Sequence, residues 1–138
     1  MPVHLVDHPL AHDALVTLRN QLTAPDHFRR AARRISVILA AEAFRDIATV
    51  PVTVETPIGP APGSEIGPDV VVVPVLRAGL GMLDAVLELA PNARVGHIGL
   101  QRDDITAVAS RYYSKLPAQL DDAFVMMIDP MLATGGSA

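Results

Sequence analysis

"DVVVVPVLRAGLGMLDAVLELAP", from Asp69 to Pro91, carries two signals in one stretch. Val70 to Val75 form a continuous apolar run rather than an alternation. Such a run fits a strand buried on both faces, as in a parallel sheet. The stretch continues as "GLGMLDAVLELAP", a compact helical segment that Pro91 stops. Two further short apolar runs follow, "RVGHIGL" from Arg94 and "AFVMMID" ending at Asp129. The first two runs and the helix between them make a strand–helix–strand unit, and the class is α/β with a parallel sheet. The intervening "QRDDITAVASRYYSKLPAQLDD", residues 101–122, has no clean helical period and reads as a loop or a hairpin arm.

Upstream the chain changes character. Residues 1–49 read as a helical segment and residues 50–138 as sheet plus a Gly-rich loop, all within one domain. Asp7 is placed to cap a first helix through "HPLAHDALVTLRNQL", with Pro9 in its first turn and Ala11, Leu15, Leu18 and Leu22 at helical spacing. A second helix is expected to start at Thr23. Its apolar stripe is Phe28, Ala32, Ile35, Leu39, Ala43 and Ile47. Arg29, Arg30, Arg33 and Arg34 fall on the other side, as a solvated face, an anion site or a subunit contact. "VPVTVET" alternates Val50, Val52 and Val54 against Pro51, Thr53 and Glu55, the pattern of a half-buried strand at an edge. "TPIGPAPGSEIGPD" then reads as a turn-rich connector.

Composition sets bounds. The chain has 138 residues, half of them hydrophobic but only 4% aromatic, so Val, Ile, Leu and Ala must build the core. A net charge of -4 argues against general nucleic-acid binding, which needs a dominant basic field. Cysteine is absent, which removes disulfides and thiolate metal sites. The N-terminus lacks the basic and apolar regions of a signal peptide. No apolar run approaches the roughly 20 residues of a membrane span. A soluble, cytoplasmic protein with no membrane partner is expected.

In open α/β sheets, ligands bind beyond the carboxyl ends of the strands. Arg77, Arg102 and Asp129 follow or end the three apolar runs. After Asp129 come Pro130, Met131, Leu132, Ala133, Thr134, Gly135, Gly136 and Ser137. Adjacent glycines admit backbone angles that turn successive N–H groups inward into an anion nest. Thr134 and Ser137 add hydroxyl donors. The loop holds no Lys, and GxxxxGK[ST] is missing, so this is not a nucleoside-triphosphate loop. A phosphate monoester fits the loop, and Asp129 suits sugar hydroxyls; together they describe a ribose 5-phosphate. By composition alone, "TGGS" also reads as an ordinary turn, and each arginine as half of a surface ion pair.

"VVPVLRAGLGMLDAVLELAPNARVGHIGLQRDD" followed by "MMIDPMLATGGS" strongly resembles the uracil phosphoribosyltransferases, and the likeness extends upstream through "HPLAHDALVTLRN" and "AAEAFRDI". Phosphoribosyltransferases generally carry two adjacent acids at this strand end; proline in the second place, here Pro130, marks the uracil branch. The resemblance implies a type I phosphoribosyltransferase fold and a reaction of uracil with phosphoribosyl pyrophosphate (PRPP) that gives UMP and pyrophosphate. It implies that Asp129 to Ser137 cradle the ribose 5-phosphate and that Arg77 and Arg102 contact the pyrophosphate. The transition state of the class resembles an oxocarbenium ion and needs no covalent protein nucleophile. Mg2+ is expected to be carried by PRPP itself, with no protein metal ligand. GTP activation of the kind some relatives show and a homo-oligomeric state for the full-length protein are further expectations of the likeness. Gln101 departs from the family, which commonly has an aromatic residue before the position of Arg102. The family also continues past the PRPP loop into a segment that recognises uracil. The chain is therefore expected to be C-terminally incomplete, a fragment or a shortened product, and inactive alone.

Two rival readings come from other classes. Gly79-Leu80-Gly81 after a strand suggests a dinucleotide fold, but Asp84 stands where GxGxxG needs its third glycine. A PRPP-binding remnant or regulator without catalysis is the other. His8 and His12, at i and i+4, read as solvated or as half of a metal site. Tyr112 and Tyr113 lie in the expected arm.

Overall fold

The computed structural model describes residues 3–102 and 109–131, with Arg102 and Ala109 described through their backbone alone. Two helices come first, α1 (Pro9–Arg19) and α2 (Pro25–Ala43). A hairpin of β1 (Thr49–Thr56) and β2 (Gly59–Ile66) follows. Then come β3 (Val70–Leu76), α3 (Leu80–Leu89), β4 (Arg94–Val95), β5 (His97–Arg102), β6 (Ala109–Lys115) and β7 (Phe124–Ile128). The mixed α/β class expected from the sequence is the one observed, with the parallel strands at its centre.

β3 is the central strand. It pairs in parallel with β7 on one side, Val70 opposite Phe124 through Pro74 opposite Ile128. On the other side it pairs in parallel with β4 and then β5. β6 returns antiparallel along β5, with a bulge between Gly99 and Leu100. A strand with neighbours on both edges and cover on both faces must be apolar throughout, and Val71 and Val72 are fully buried. α3 and α2 cover one face. There Val70, Val72, Met126 and Ile128 pack with Met82, Val86, Ala90 and Ala40, flanked by Phe44 and Phe124 whose rings lie 5.6 Å apart. On the opposite face Val125 and Met127 are 46% and 44% exposed.

The amino end of the sheet is closed by Arg94. Its guanidinium donates to the carbonyls of Ala118 (2.8 Å) and Gln119 (3.2 Å) and to the Asp69 carboxylate (3.1 Å). This ties the segment before β7 to the starts of β3 and β4.

Helix boundaries differ from the sequence expectation for local reasons. α1 is capped by His8, not Asp7: His8 Nδ1 accepts the N–H of Leu10 at 3.1 Å. The residue before a proline is pushed to extended backbone, so His8 rather than Asp7 is the turning point into Pro9. α1 ends at Arg19, because the Asn20 side chain accepts the Leu22 N–H and turns the chain; Leu22 is 84% exposed rather than in a stripe. Thr23 does not cap α2. Its hydroxyl donates to the Thr17 carbonyl at 2.6 Å, and Ala24 is the uncapped N-terminal residue before Pro25.

None of the expected α2 stripe is buried. The helix buries Ala31, Ser36 and Ala40 instead; Ala32 and Ile35 are half-buried, Phe28 and Leu39 stay 47% and 39% exposed, Ala43 is exposed, and Ile47 lies beyond the helix end. Three of the α2 arginines make surface ion pairs, Arg30 with Asp26, Arg33 with Glu88 and Arg34 with Asp13.

The proline-rich stretch is a strand, not a connector. Glu55 faces Pro60, Thr53 faces Pro62 and Pro51 faces Ser64. All three prolines thus share one parity of the ladder. Since proline has no N–H, these are the pairs that exchange no hydrogen bonds, and the intervening pairs, such as Val52 with Gly63, carry the ladder. Gly59, at φ 121°, opens β2 after the Pro57–Ile58 turn, where a side chain would be strained.

Candidate functional site

The carboxyl ends of β3 and β7 stand side by side because Pro74 pairs with Ile128. Arg77 lies just past the end of β3 and is exposed; the Leu76–Arg77 peptide bond is cis. Asp129 lies just past the end of β7 and is half-buried. Its Oδ1 accepts the N–H of Met131 at 3.4 Å, which begins the turn away from the strand. Pro130 and Met131 are exposed. The register therefore places the cation and the carboxylate at the same end of two adjacent parallel strands.

Arg102 ends β5, opposite Ala109 of β6. Leu76 pairs with Gly99, so Arg102 stands three residues beyond the last β3–β5 pairing, about 10 Å further along the strand direction. Its side chain lies outside what is described. So do Leu132, Ala133, Thr134, Gly135, Gly136 and Ser137, the greater part of the expected phosphate loop.

Gly79 is the residue whose role the sequence reading did not find. A Cβ there would collide with the Ile128 carbonyl oxygen, and would sit 2.7 Å and 2.8 Å from the N and O of Val75. Gly79 N–H donates to the Val75 carbonyl at 2.8 Å, and its own carbonyl accepts from Met82 at 3.0 Å. The turn from β3 into α3 thus rests directly on the ends of both strands, two residues after Arg77 and against the residue before Asp129. Only the spacing R-x-G after an apolar run would have signalled it. The third position of the dinucleotide pattern, Asp84, is exposed and plays no such part.

Among the described residues, no group of three or more His, Cys, Asp or Glu is placed to hold a metal ion. His8 caps α1, and His12 lies 3.3 Å from Asp7. Among the same residues no helix is long and apolar enough to cross a membrane.

Open α/β sheets form a class of proteins that bind ligands beyond the carboxyl ends of their strands, and here that edge offers an arginine and an acid on two adjacent parallel strands. The comparisons with known proteins narrow this class. The family model described as uracil phosphoribosyltransferase matches residues 5–138. A relative named uracil phosphoribosyltransferase from Thermosipho melanesiensis is 46% identical over 139 residues, covering all of this chain and 67% of the relative. One of the same name from Salinibacter ruber is 47% identical over 136 residues, covering 99% and 65%. Among solved structures, the AQ2163 protein from Aquifex aeolicus superposes with a TM-score of 0.88 at 38% identity, over 96% of this chain and 64% of that one. The chain belongs to the uracil phosphoribosyltransferase family. It spans about two thirds of the length of the curated relatives it matches.

Proposed function

We propose that the protein to which this chain belongs transfers the phosphoribosyl group of PRPP to uracil, giving UMP and pyrophosphate. The observation that carries the proposal is the placement of Arg77 and Asp129 just past the ends of paired β3 and β7, with Leu132 to Ser137 following directly in the chain. In this reading Asp129 accepts hydrogen bonds from the ribose hydroxyls. Backbone N–H groups and hydroxyls between Pro130 and Ser137 hold the 5-phosphate. Arg77 and Arg102 face the pyrophosphate, whose charge grows as its bond to ribose C1 breaks. A guanidinium suits that task, because its planar fork stays charged and meets phosphate oxygens in pairs.

Mg2+ would enter on PRPP oxygens and neutralise part of the pyrophosphate charge. The chain's own share is to position PRPP, which lowers the barrier by fixing the reacting geometry. GTP as an activator, a homo-oligomer and a cytoplasmic setting belong to the same proposal. The test is turnover of uracil, cytosine, adenine and guanine by the full-length protein with PRPP and Mg2+. Preferential UMP formation is expected. Preference for a purine, or turnover of no base, would overturn the reading.

A further inference from the structure

β5 and β6 form an arm that is fixed at its root. There the Gly96 N–H donates to the Val72 carbonyl at 3.0 Å, and Val75 and Leu76 of β3 pair with Ile98 and Gly99. Arg94 holds the carbonyls of Ala118 and Gln119 where the chain leaves β6. Beyond Gly99 the arm stands by itself: among the described residues, β5 then pairs with β6 alone. Arg102 lies in this outer part, three residues and about 10 Å past Gly99.

The junction between root and outer part has a shape of its own. Gly99 pairs with Tyr113, but the next residue, Leu100, pairs with Arg111, so Tyr112 is the extra, bulged residue of β6. A bulge bends its strand and increases the local twist. The Tyr112 ring lies against Gly99, where an added Cβ would stand 2.5 Å from its Cζ and 2.7 Å from its Cε2. Only a residue without a side chain lets the ring settle there. Gly96 stands in the same relation to Leu116 and Pro117, so β6 rests on β5 at two glycines three residues apart. Both glycines are buried, whereas Tyr112 is 53% exposed. A ring half in water adds little to a core, and this one sits at the bend.

The leverage is large. A tilt of about 10° at Gly99 carries the backbone of Arg102 through about 2 Å over that reach. A misplacement of about 1 Å in a positioned group can cost about 10²-fold in rate.

We propose that Tyr112 is a positioning residue for Arg102. Seated on Gly99, its ring fixes the bend of the β5–β6 arm, and the bend fixes where the strand delivers Arg102. Arg102 faces the pyrophosphate in the reading proposed above, on which this role depends. Tyr112 itself need not touch the substrate.

The test is the kinetics of the full-length protein with PRPP, uracil and Mg2+, with melting curves to verify the fold. Tyr112→Ala removes a half-exposed ring and should melt near the wild type, yet lower kcat/KM for PRPP by about tenfold or more. Tyr112→Leu, which keeps apolar bulk without the flat ring, should lose activity in the same direction. Tyr112→Phe keeps the ring carbons that meet Gly99 and should restore most of the loss. The deciding measurement is a cycle with Arg102→Ala. If Tyr112 acts through Arg102, removing the ring from the Arg102→Ala enzyme costs no more than about twofold further, whereas independent roles would multiply the two losses. A wild type that makes no UMP would remove the PRPP reading and this role with it. With a working wild type, multiplied losses in the cycle, normal kinetics in Tyr112→Ala, or a phenylalanine variant as impaired as the alanine one would overturn the role of Tyr112 and leave the PRPP reading standing.

Discussion

β3 and β1 are both built from valine, yet they end in opposite environments. In β3, Val71 and Val72 are fully buried and Val73 is 3% exposed; in β1, Val50 and Val54 are 47% and 45% exposed. β3 has a parallel neighbour on each edge and cover on each face, so every position is apolar. β1 has one neighbour, and its valines alternate with Pro51, Thr53 and Glu55, so half of its surface is written for water. The run and the alternation are separate instructions. The first builds the frame that aims Arg77 and Asp129; the second builds a finger that leaves the frame. Substitutions on the two sides of this divide should therefore behave differently.

The largest effect is expected in the frame. Val72→Asp puts a carboxylate with no partner into the core, at about 3–5 kcal/mol or more, enough to unfold a domain of ordinary stability. Val54→Ala in the hairpin should shift the stability of a dilute protomer by only about 0.5 kcal/mol. Urea unfolding of both variants compares the two strands directly. Equal losses would mean that the hairpin is as much core as β3.

Gly79→Ala should come next. The added methyl meets the Ile128 carbonyl and the backbone of Val75, and relief requires the ends of β3 and β7 to separate. A loss of about 1–3 kcal/mol is expected from overpacking. Activity of the full-length protein should fall further than stability explains, because the strand ends that move carry Arg77 and Asp129. Wild-type melting in the alanine variant would contradict the close approach.

Arg77→Ala should leave stability unchanged and lower kcat by about 10²-fold in the full-length protein, as expected for a lost charge-stabilising donor. Arg77→Lys should rescue it only in part, since a point charge does not replace a fork. Full activity in the lysine variant would remove the arginine from the proposed pyrophosphate site.

Smaller still is the effect of pH on the helical pair. Burial pushes the Glu42 carboxyl upward, but hydrogen bonds from Arg45 and His4 outweigh it, and the group titrates below its ordinary value of 4.5. A depressed folded value means that the carboxylate stabilises the fold above pH 4.5 and that this contribution fades as pH falls through the folded value. Melting curves of the chain and of Glu42→Gln should therefore differ at neutral pH and converge in acid. Divergence that grows as the pH drops would reverse the sign of this argument.

The frame was legible because burial writes itself into consecutive residues. Val70 to Val75, Phe124 to Ile128 and the helix between Gly79 and Pro91 each announce their element without reference to the others. The hairpin was half legible. Its alternating strand could be read from Val50, Val52 and Val54, but β2 is made of residues that normally break strands. Only the pairing register explains why Pro60 and Pro62 are tolerated there. Helix ends were misread where a side chain had a better partner than the expected cap, as Thr23 has in the Thr17 carbonyl. The arginine and the acid of the site could be read as strand-end residues, whereas Gly79 could not, because its constraint comes from Ile128, 49 residues away in the chain.

The claim that the β3–β7 edge, and not the hairpin, holds the phosphoribosyl group can be tested most directly by amide chemical-shift mapping. The labelled protein is titrated with PRPP and Mg2+, and the perturbed amides are placed on the fold. The account predicts that shifts concentrate at Arg77, Ala78 and Asp129 and along the chain from Met131 to Ser137. The amides of residues 49–66 should stay in place. Perturbations centred on the hairpin with a silent β3–β7 edge would contradict it.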